Sequence, residues 1–276
     1  MAISAKEVNE LRKMTGAGMM DCKKALQEAD GDFDKAVEIL RKKGQKISAK
    51  RADRETNEGS VFVKTNDDNT EGILIAIGCE TDFVAKNDEF QKLGQKILNV
   101  ASSEKPADIP ALKALKIDSL TVEEKLTELI GKIGEKLEIV SYIRQEGEQV
   151  VPYIHAGSKL GVLVSLKGAD GKDVKEAGRD VAMQIAAMNP VALDKNDVSK
   201  EIIEREIEIG KEQARAEGKP EQMLEKIATG KLNKFFKENT LLQQAFVKDN
   251  KSSIAQYLDS VNSGLTVSQF KRVSIG

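Results

Sequence analysis

A strand–turn–strand–helix pattern occurs twice in this sequence, and the two copies limit what the chain can fold into. Residues 60–101 run from an apolar strand through a polar turn to a second apolar strand and then a helical stripe. Residues 149–189 follow the same order with few shared identities. Because hairpin strands pair antiparallel and each apolar sheet face needs cover, the duplication predicts an α+β fold with antiparallel sheets covered by helices.

The regions outside the two copies are mostly helical by pattern. Residues 4–43 predict three short helices, the first opened by a Ser4 and Glu7 capping box. Gly44 is expected to end the third helix, and the polar stretch 46–57 predicts a linker or an exposed helix.

A charged segment near the C-terminal end carries apolar residues at helical spacing. Residues 194–216 form its first arm, Glu217 to Pro220 interrupt it, and apolar positions resume at Met223. This pattern favours two antiparallel helices joined at a short tip, a protruding hairpin, although two ordinary surface helices fit it as well.

Composition excludes several classes of protein. Lys and Arg number 43 and Asp and Glu 45, a net charge of −2, so the chain lacks the basic footprint of direct nucleic-acid binding. No apolar run approaches the ~20 residues of a membrane span, and Met1–Lys6 lack the apolar core of a secretion signal. Two distant cysteines, Cys22 and Cys79, fit a reducing compartment, so we expect a cytoplasmic protein that does not enter a membrane.

Reactive motifs are missing from the sequence. Gly16-Ala17-Gly18 follows a helix and not a strand, so it is a helix stop and no nucleotide-binding loop. His155 is the single histidine, without ligands at metal-binding spacing, and a hydrogen-bonded turn histidine is one interpretation of it. Glu80 and Asp82, about 6–7 Å apart along an extended chain, could form an acid–base pair, but pocket-forming aromatics are absent. The sequence predicts a binding protein with no cofactor, no metal and no enzymatic chemistry.

The stretch from Cys79 to Asn87 joins the second strand of the first copy to its helix. Phe83 lies at this junction beside Asp82, where side chains project from a rigid scaffold. Two interpretations stay open. Phe83 either packs back under the helix or protrudes as a wedge for a partner's pocket, which would remove ~150–250 Å² of ring surface from water.

Two long motifs resemble the signatures of the elongation factor Ts family. The first is LRKMTGAGMMDCKKAL at residues 11–26, and the second is ETDFVAKN at residues 80–87. The similarity extends over the whole chain in the order of the family's parts. It implies a UBA-like three-helix module with its linker over 1–54, a core N-subdomain over 55–140, a core C-subdomain over 141–192 and 232–276, and a coiled-coil hairpin over 193–231.

The resemblance implies guanine-nucleotide exchange on elongation factor Tu, bound in its GDP-loaded and nucleotide-free forms, during translation elongation. The matched positions imply that Thr81, Asp82, Phe83 and Val84 disturb the partner's magnesium site. His155 would press on the partner's phosphate-loop side, and Arg12, Met19 and Met20 would contact its nucleotide-binding domain. For the two methionines, packing at a helix start is the alternative.

The resemblance leaves alternatives of other classes. The hairpin is expected to be a second contact or a self-association element that forms a homodimer. A translation-associated scaffold without exchange activity, and a hydrolase using Glu80 and Asp82, are the competing functions.

Overall fold

The computed structural model describes residues 3–276, so the first two residues of the predicted 1–54 module lie outside it. The N-terminal part forms α1 (Ala5–Thr15), α2 (Met19–Glu28) and α3 (Phe33–Lys50). These helices enclose a small core of their own around Leu11 and Leu26. The capping box is present, because the side chains of Ser4 and Glu7 each bond to the other's backbone N–H. The likeness of this module to UBA domains stays a prediction.

Two stretches of mixed strands and helices follow. The first comprises β1 (Glu58–Thr65), β2 (Glu71–Cys79), α4 (Asp82–Ala85), α5 (Asp88–Glu104), α6 (Ile109–Ala114), β3 (Lys116–Ile117), β4 (Leu120–Thr121), α7 (Val122–Ile133) and β5 (Leu137–Glu146). The second comprises β6 (Gln149–Ile154), β7 (Leu160–Lys167), α8 (Lys175–Met188), a 3-10 turn (Lys195–Asp197), α9 (Lys200–Ala216), α10 (Glu221–Asn239), β8 (Ala245–Phe246), β9 (Asp249–Ser253), α11 (Ile254–Val261) and β10 (Thr266–Ser274).

Each stretch contains a three-stranded antiparallel sheet built in the same way. The first sheet has the strand order β1-β2-β5 and the second has the order β6-β7-β10. In each sheet the first two strands form a hairpin, and a later strand pairs with the second strand of that hairpin. The α+β class and the hairpin-plus-helix duplication are confirmed. The predicted boundary after residue 140 cuts β5, however, which pairs with β2 from Leu137 to Glu146 and therefore belongs to the first sheet.

The two sheets pack face to face, with helices on their outer sides. Val61 and Leu74 of the first sheet share a buried cluster with Val150 and Leu163 of the second. The opposite face of the first sheet packs on α5 and α7. Both faces of β2 are therefore covered, and all nine of its residues are buried. This explains its continuous apolar sequence, which would alternate if one face met water.

The third helix does not end at Gly44 as expected but continues to Lys50. A Cβ atom on Gly44 would lie 2.8 Å from the carbonyl oxygen of Thr127 in α7, and one on Gly131 would lie 2.9 Å from the Cα of Gly44. The glycine therefore permits close packing of α3 on α7. It is a contact residue between the N-terminal module and the core, and not a helix stop.

Helices α9 and α10 pack antiparallel, as the sequence predicted. Gly210 lies against Ala228, and Lys211 pairs with Glu225 across the two helices at 2.7 Å. The return helix runs to Asn239, past residue 231 where the predicted hairpin ended. Whether the two helices supercoil as a coiled coil stays a prediction.

Candidate partner-binding site

Phe83 stands on a short helical turn directly after the central strand of the first sheet. The Thr81 side chain caps this turn by accepting the Val84 N–H at 3.4 Å. Asn87 caps the next helix, α5, in the same way, accepting the Glu89 N–H at 2.8 Å. Two caps within seven residues fix the backbone, since each satisfies an N–H that a helix start leaves open. We call residues 81–85 the Phe83 turn.

Side chains of the Phe83 turn divide between core and surface. Val84 and Ala85 are buried against the first sheet, whereas Phe83 is 82% exposed. The interpretation of Phe83 as an inward plug is therefore wrong, because its two neighbours fill that place. Val84 points inward as well, so the structure does not offer its side chain as a surface contact, and its predicted contact role is corrected on this point.

Asp82 lies next to Phe83 and is half-exposed. Its carboxylate accepts a hydrogen bond from Lys86 Nζ at 2.7 Å, one helical turn away. This hydrogen bond lowers the pKa of Asp82, so the group is ionised at neutral pH. The turn therefore presents an aromatic ring next to a carboxylate, and Lys86 is paired with that carboxylate.

Two further carboxylates hold the base of the Phe83 turn. Glu135 accepts from the backbone N–H of Thr81 at 3.0 Å and from its hydroxyl at 2.8 Å. Glu80 accepts from Arg51 Nη1 at 2.8 Å with each oxygen and from the Lys136 N–H at 2.7 Å. Burial opposes ionisation of Glu80, but these donors outweigh it and lower its pKa.

The contacts of Glu80 give it a structural role at the base of the Phe83 turn. Both of its oxygens are engaged by Arg51. The hydrolase alternative required Glu80 and Asp82 to act as a pair on a substrate, and the structure uses Glu80 to support the turn. Behind it, burial raises the pKa of the Cys79 thiol to about 12, so this sulfur is a packed thiol that donates to Thr81 O at 3.1 Å.

The N-terminal module exposes its own group of predicted residues. Arg12, Met19 and Met20 all face solvent, with Met19 56% and Met20 64% exposed. The helix-start packing alternative for the methionines is therefore wrong. Met14 is equally exposed at 64% and was missed. The sequence held no signal for it, because Met14 lies three positions after Leu11, a spacing that predicts the same inward face.

His155 lies at the end of β6, in the turn to β7. Its backbone N–H donates to Leu160 O at 2.9 Å, its carbonyl accepts from the Ser158 N–H at 3.0 Å, and its exposed ring bonds to the Tyr153 hydroxyl through Nδ1 at 2.9 Å. The turn-histidine interpretation is correct, and it does not conflict with a surface role. The predicted residues thus lie on three separate elements: the Phe83 turn, the β6–β7 turn and the N-terminal module.

Features of enzymes and membrane proteins were sought in residues 3–276. In this range no three His, Cys, Asp or Glu side chains are grouped closely enough to hold a metal ion. None of the helices within the same range has the length and apolar character needed to cross a bilayer.

The fold and the site define a class of protein that presents exposed aromatic and methionine side chains on rigid supports. Exposed side chains of these types are typical of surfaces that contact another macromolecule, because a buried ring or thioether stabilises an interface strongly. The family model described as "Elongation factor TS" matches residues 80–276.

Relatives of the same description match over the full length. The elongation factor Ts of Amoebophilus asiaticus (strain 5a2) is 59% identical over 276 residues, covering 100% of both chains. That of Cytophaga hutchinsonii is 61% identical over 274 residues, covering 99% of each, and that of Flavobacterium psychrophilum is 50% identical, again covering 99% of each. The chain belongs to the elongation factor Ts family, a family of translation elongation factors.

Proposed function

We propose that this chain is a guanine-nucleotide exchange factor that binds elongation factor Tu with GDP and speeds the release of the nucleotide. The proposal rests chiefly on Phe83, which is 82% exposed on a capped turn whose neighbours are buried. An aromatic ring that stays exposed to water does not stabilise its own fold. Burial of the ring in a partner's pocket would stabilise the complex, and the fixed backbone of the turn reduces the conformational entropy lost on binding.

Exchange of this kind needs no covalent chemistry. The factor must bind the nucleotide-free partner more tightly than the GDP-bound partner, and linkage then requires each ligand to weaken the other by the same factor. Every tenfold weakening corresponds to about 1.4 kcal/mol of differential contact. Phe83 supplies part of this difference by filling an apolar pocket that is open only in the distorted partner.

Asp82 acts beside Phe83 on the partner's magnesium site. Mg²⁺ holds a nearly ideal octahedral set of oxygens and waters, so a small displacement of the groups around it weakens its binding. An ionised carboxylate can draw away or reorient those groups without ligating the ion. Thr81 caps the turn that carries both residues, and Val84 holds it from below.

The N-terminal module and the hairpin add contacts to the same complex. Arg12, Met19 and Met20 bind the nucleotide-binding domain of elongation factor Tu, and methionine adapts its shape to such a surface. Helices α9 and α10 provide a second contact or a homodimer interface. A light-scattering mass of the mixed complex distinguishes a one-to-one complex from a dimer of dimers.

Stopped-flow release of fluorescent GDP from purified elongation factor Tu tests the proposal. The chain should accelerate release, and Phe83→Ala should lose about tenfold or more of that acceleration, since a buried anchor contributes ~2 kcal/mol or more. Val261→Ala, which trims an apolar side chain 40% exposed on α11, is the matched control and should behave as wild type. No acceleration by the wild-type chain would leave the scaffold alternative as the better account.

A smaller role is assigned to His155, acting through contact on the phosphate-loop side. His155→Gln retains a polar side chain beside the Tyr153 hydroxyl and should keep much of the acceleration, whereas His155→Ala should lose more. The measurement is GDP release across pH 5.5–8. A pH-dependent step in the release rate that is present in wild type and absent in the Gln variant would contradict a pure contact role.

A further inference from the structure

The supports of the Phe83 turn come from residues distant in sequence. Glu135 binds Thr81 through two hydrogen bonds across 54 positions of the chain. Glu80, whose side chain is only 16% exposed, accepts hydrogen bonds from Arg51 and from the Lys136 N–H. These contacts hold Glu80 and Thr81, the two residues that immediately precede Asp82 and Phe83.

One of these supports, the Arg51–Glu80 pair, joins the N-terminal module to the core, whereas Glu135 and Thr81 both lie in the core. Arg51 directly follows the last residue of α3 and caps it, and Glu135 and Lys136 follow Gly134, which caps the end of α7. Helices α3 and α7 are the pair that approach closely at Gly44. The Lys136 side chain also donates to Arg54 O at 3.0 Å, which ties the chain after α3 to the same point.

We propose that Glu135 and the Glu80–Arg51 ion pair are positioning residues, which fix the orientation of Asp82 and Phe83 and make it depend on the seating of the N-terminal module. The proposal rests on the proposed exchange function for its consequence, but the geometry of the support stands apart from it. A movement of α3 on α7 displaces Arg51 relative to Glu80 and to the 134–136 segment. The contact that holds residue 80 then shifts relative to the contact that Glu135 makes with residue 81.

The physical need for such a support is clear from the size of the turn. A helix of four residues has no stability of its own, because nucleation of a helix costs more than its first bonds return. Without support, the residues of α4 would sample several conformations and the ring of Phe83 would reach a pocket in only a fraction of them. The apparent affinity for the distorted partner is reduced in proportion to the fraction of molecules in which Phe83 has the competent orientation.

Two variants test the role, each in the full-length chain. Arg51→Ala removes the ion pair, and Glu135→Gln weakens the hold on Thr81. The matched control is Lys42→Ala, which removes a cation from an exposed pair on α3. Two readouts are taken: the rate of GDP release at saturating chain, and hydrogen exchange of the Ala85 and Lys86 amides in the chain alone.

The expected result is a fall of about tenfold in the saturated release rate for both variants, since small misplacements of an acting group cost rates of this order. The concentration that gives half the maximal rate should change less. The hydrogen-exchange rates of the Ala85 and Lys86 amides should rise in both variants and should stay unchanged in Lys42→Ala. Arg51→Lys, which keeps the charge, should restore at least half of the lost rate.

The outcomes separate this proposal from the exchange function itself. If the wild-type chain accelerates GDP release and Arg51→Ala and Glu135→Gln do so equally well, the positioning role is overturned. If the wild-type chain fails to accelerate release, the exchange function falls. The positioning role is then tested by hydrogen exchange of the Ala85 and Lys86 amides alone. Unchanged hydrogen-exchange rates in both variants overturn it.

Discussion

At the scale of single residues, Phe83 and Val84 are neighbours that face opposite ways, one into water and one into the core of the first sheet. A strand–helix junction could be predicted here from the apolar run that ends before Cys79. The direction of Phe83 could not be predicted from local pattern. It depends on the backbone of the turn, which Glu135 holds from 54 positions away.

Glu80 gives this support a pH dependence whose sign follows from its contacts. Its folded-state pKa is lowered, so its contribution to the free energy of unfolding is present above its ordinary value near 4.5 and is lost as pH falls through the folded pKa. Glu80→Gln should therefore be less stable than wild type at pH 7 by about 1–2 kcal/mol, with the gap closing below about pH 4.5.

Urea unfolding at a series of pH values measures this difference. Glu10→Gln, an exposed substitution on α1, serves as the control and should shift stability by less than about 0.5 kcal/mol at pH 7. A constant difference between wild type and Glu80→Gln from pH 7 down to pH 3 would show that ionisation of Glu80 does not contribute to the free energy of unfolding.

At the scale of elements, the role of a glycine depends on what lies opposite it. Gly44 was expected to stop α3 because glycine commonly follows a helix, but it lies inside the helix against the backbone of α7. The sequence could not distinguish the two roles, since the opposing residue, Thr127, is far along the chain. The Ser4 capping box, whose partners are three positions apart, was predicted correctly for the opposite reason.

A pair of glycine substitutions tests this interpretation of α3. Gly44→Ala should destabilise the chain by about 1–3 kcal/mol, because the new Cβ meets the Thr127 carbonyl, which cannot move freely. Gly230→Ala, in α10, places its Cβ more than 4 Å from every atom outside its chain neighbours and its own helix backbone, and should stabilise by roughly 0.5–1 kcal/mol through helix propensity.

Thermal or urea unfolding of the two variants beside wild type provides the measurement. Equal effects of the two substitutions would mean that α3 and α7 do not approach as closely as described. The support proposed for the Phe83 turn would then lose its connection to the N-terminal module.

At the scale of the whole molecule, the duplicated order of strands and helices predicted the α+β class and both hairpins. It did not predict that the sheets pack on each other, which requires a second apolar face on each. The buried residues of β2 reflect this packing. The three predicted contact regions are carried by separate parts of the molecule, so their joint action depends on how rigidly those parts are held together.

Phe83 is expected to distinguish the nucleotide-free form of elongation factor Tu from the GDP-bound form. Equilibrium binding of wild type and Phe83→Ala to elongation factor Tu in both states measures this directly. Phe83→Ala should weaken binding to the nucleotide-free form by about 30-fold, which corresponds to ~2 kcal/mol, and binding to the GDP-bound form by about threefold or less. Equal weakening of binding to the two forms, or no weakening, would show that Phe83 does not distinguish them.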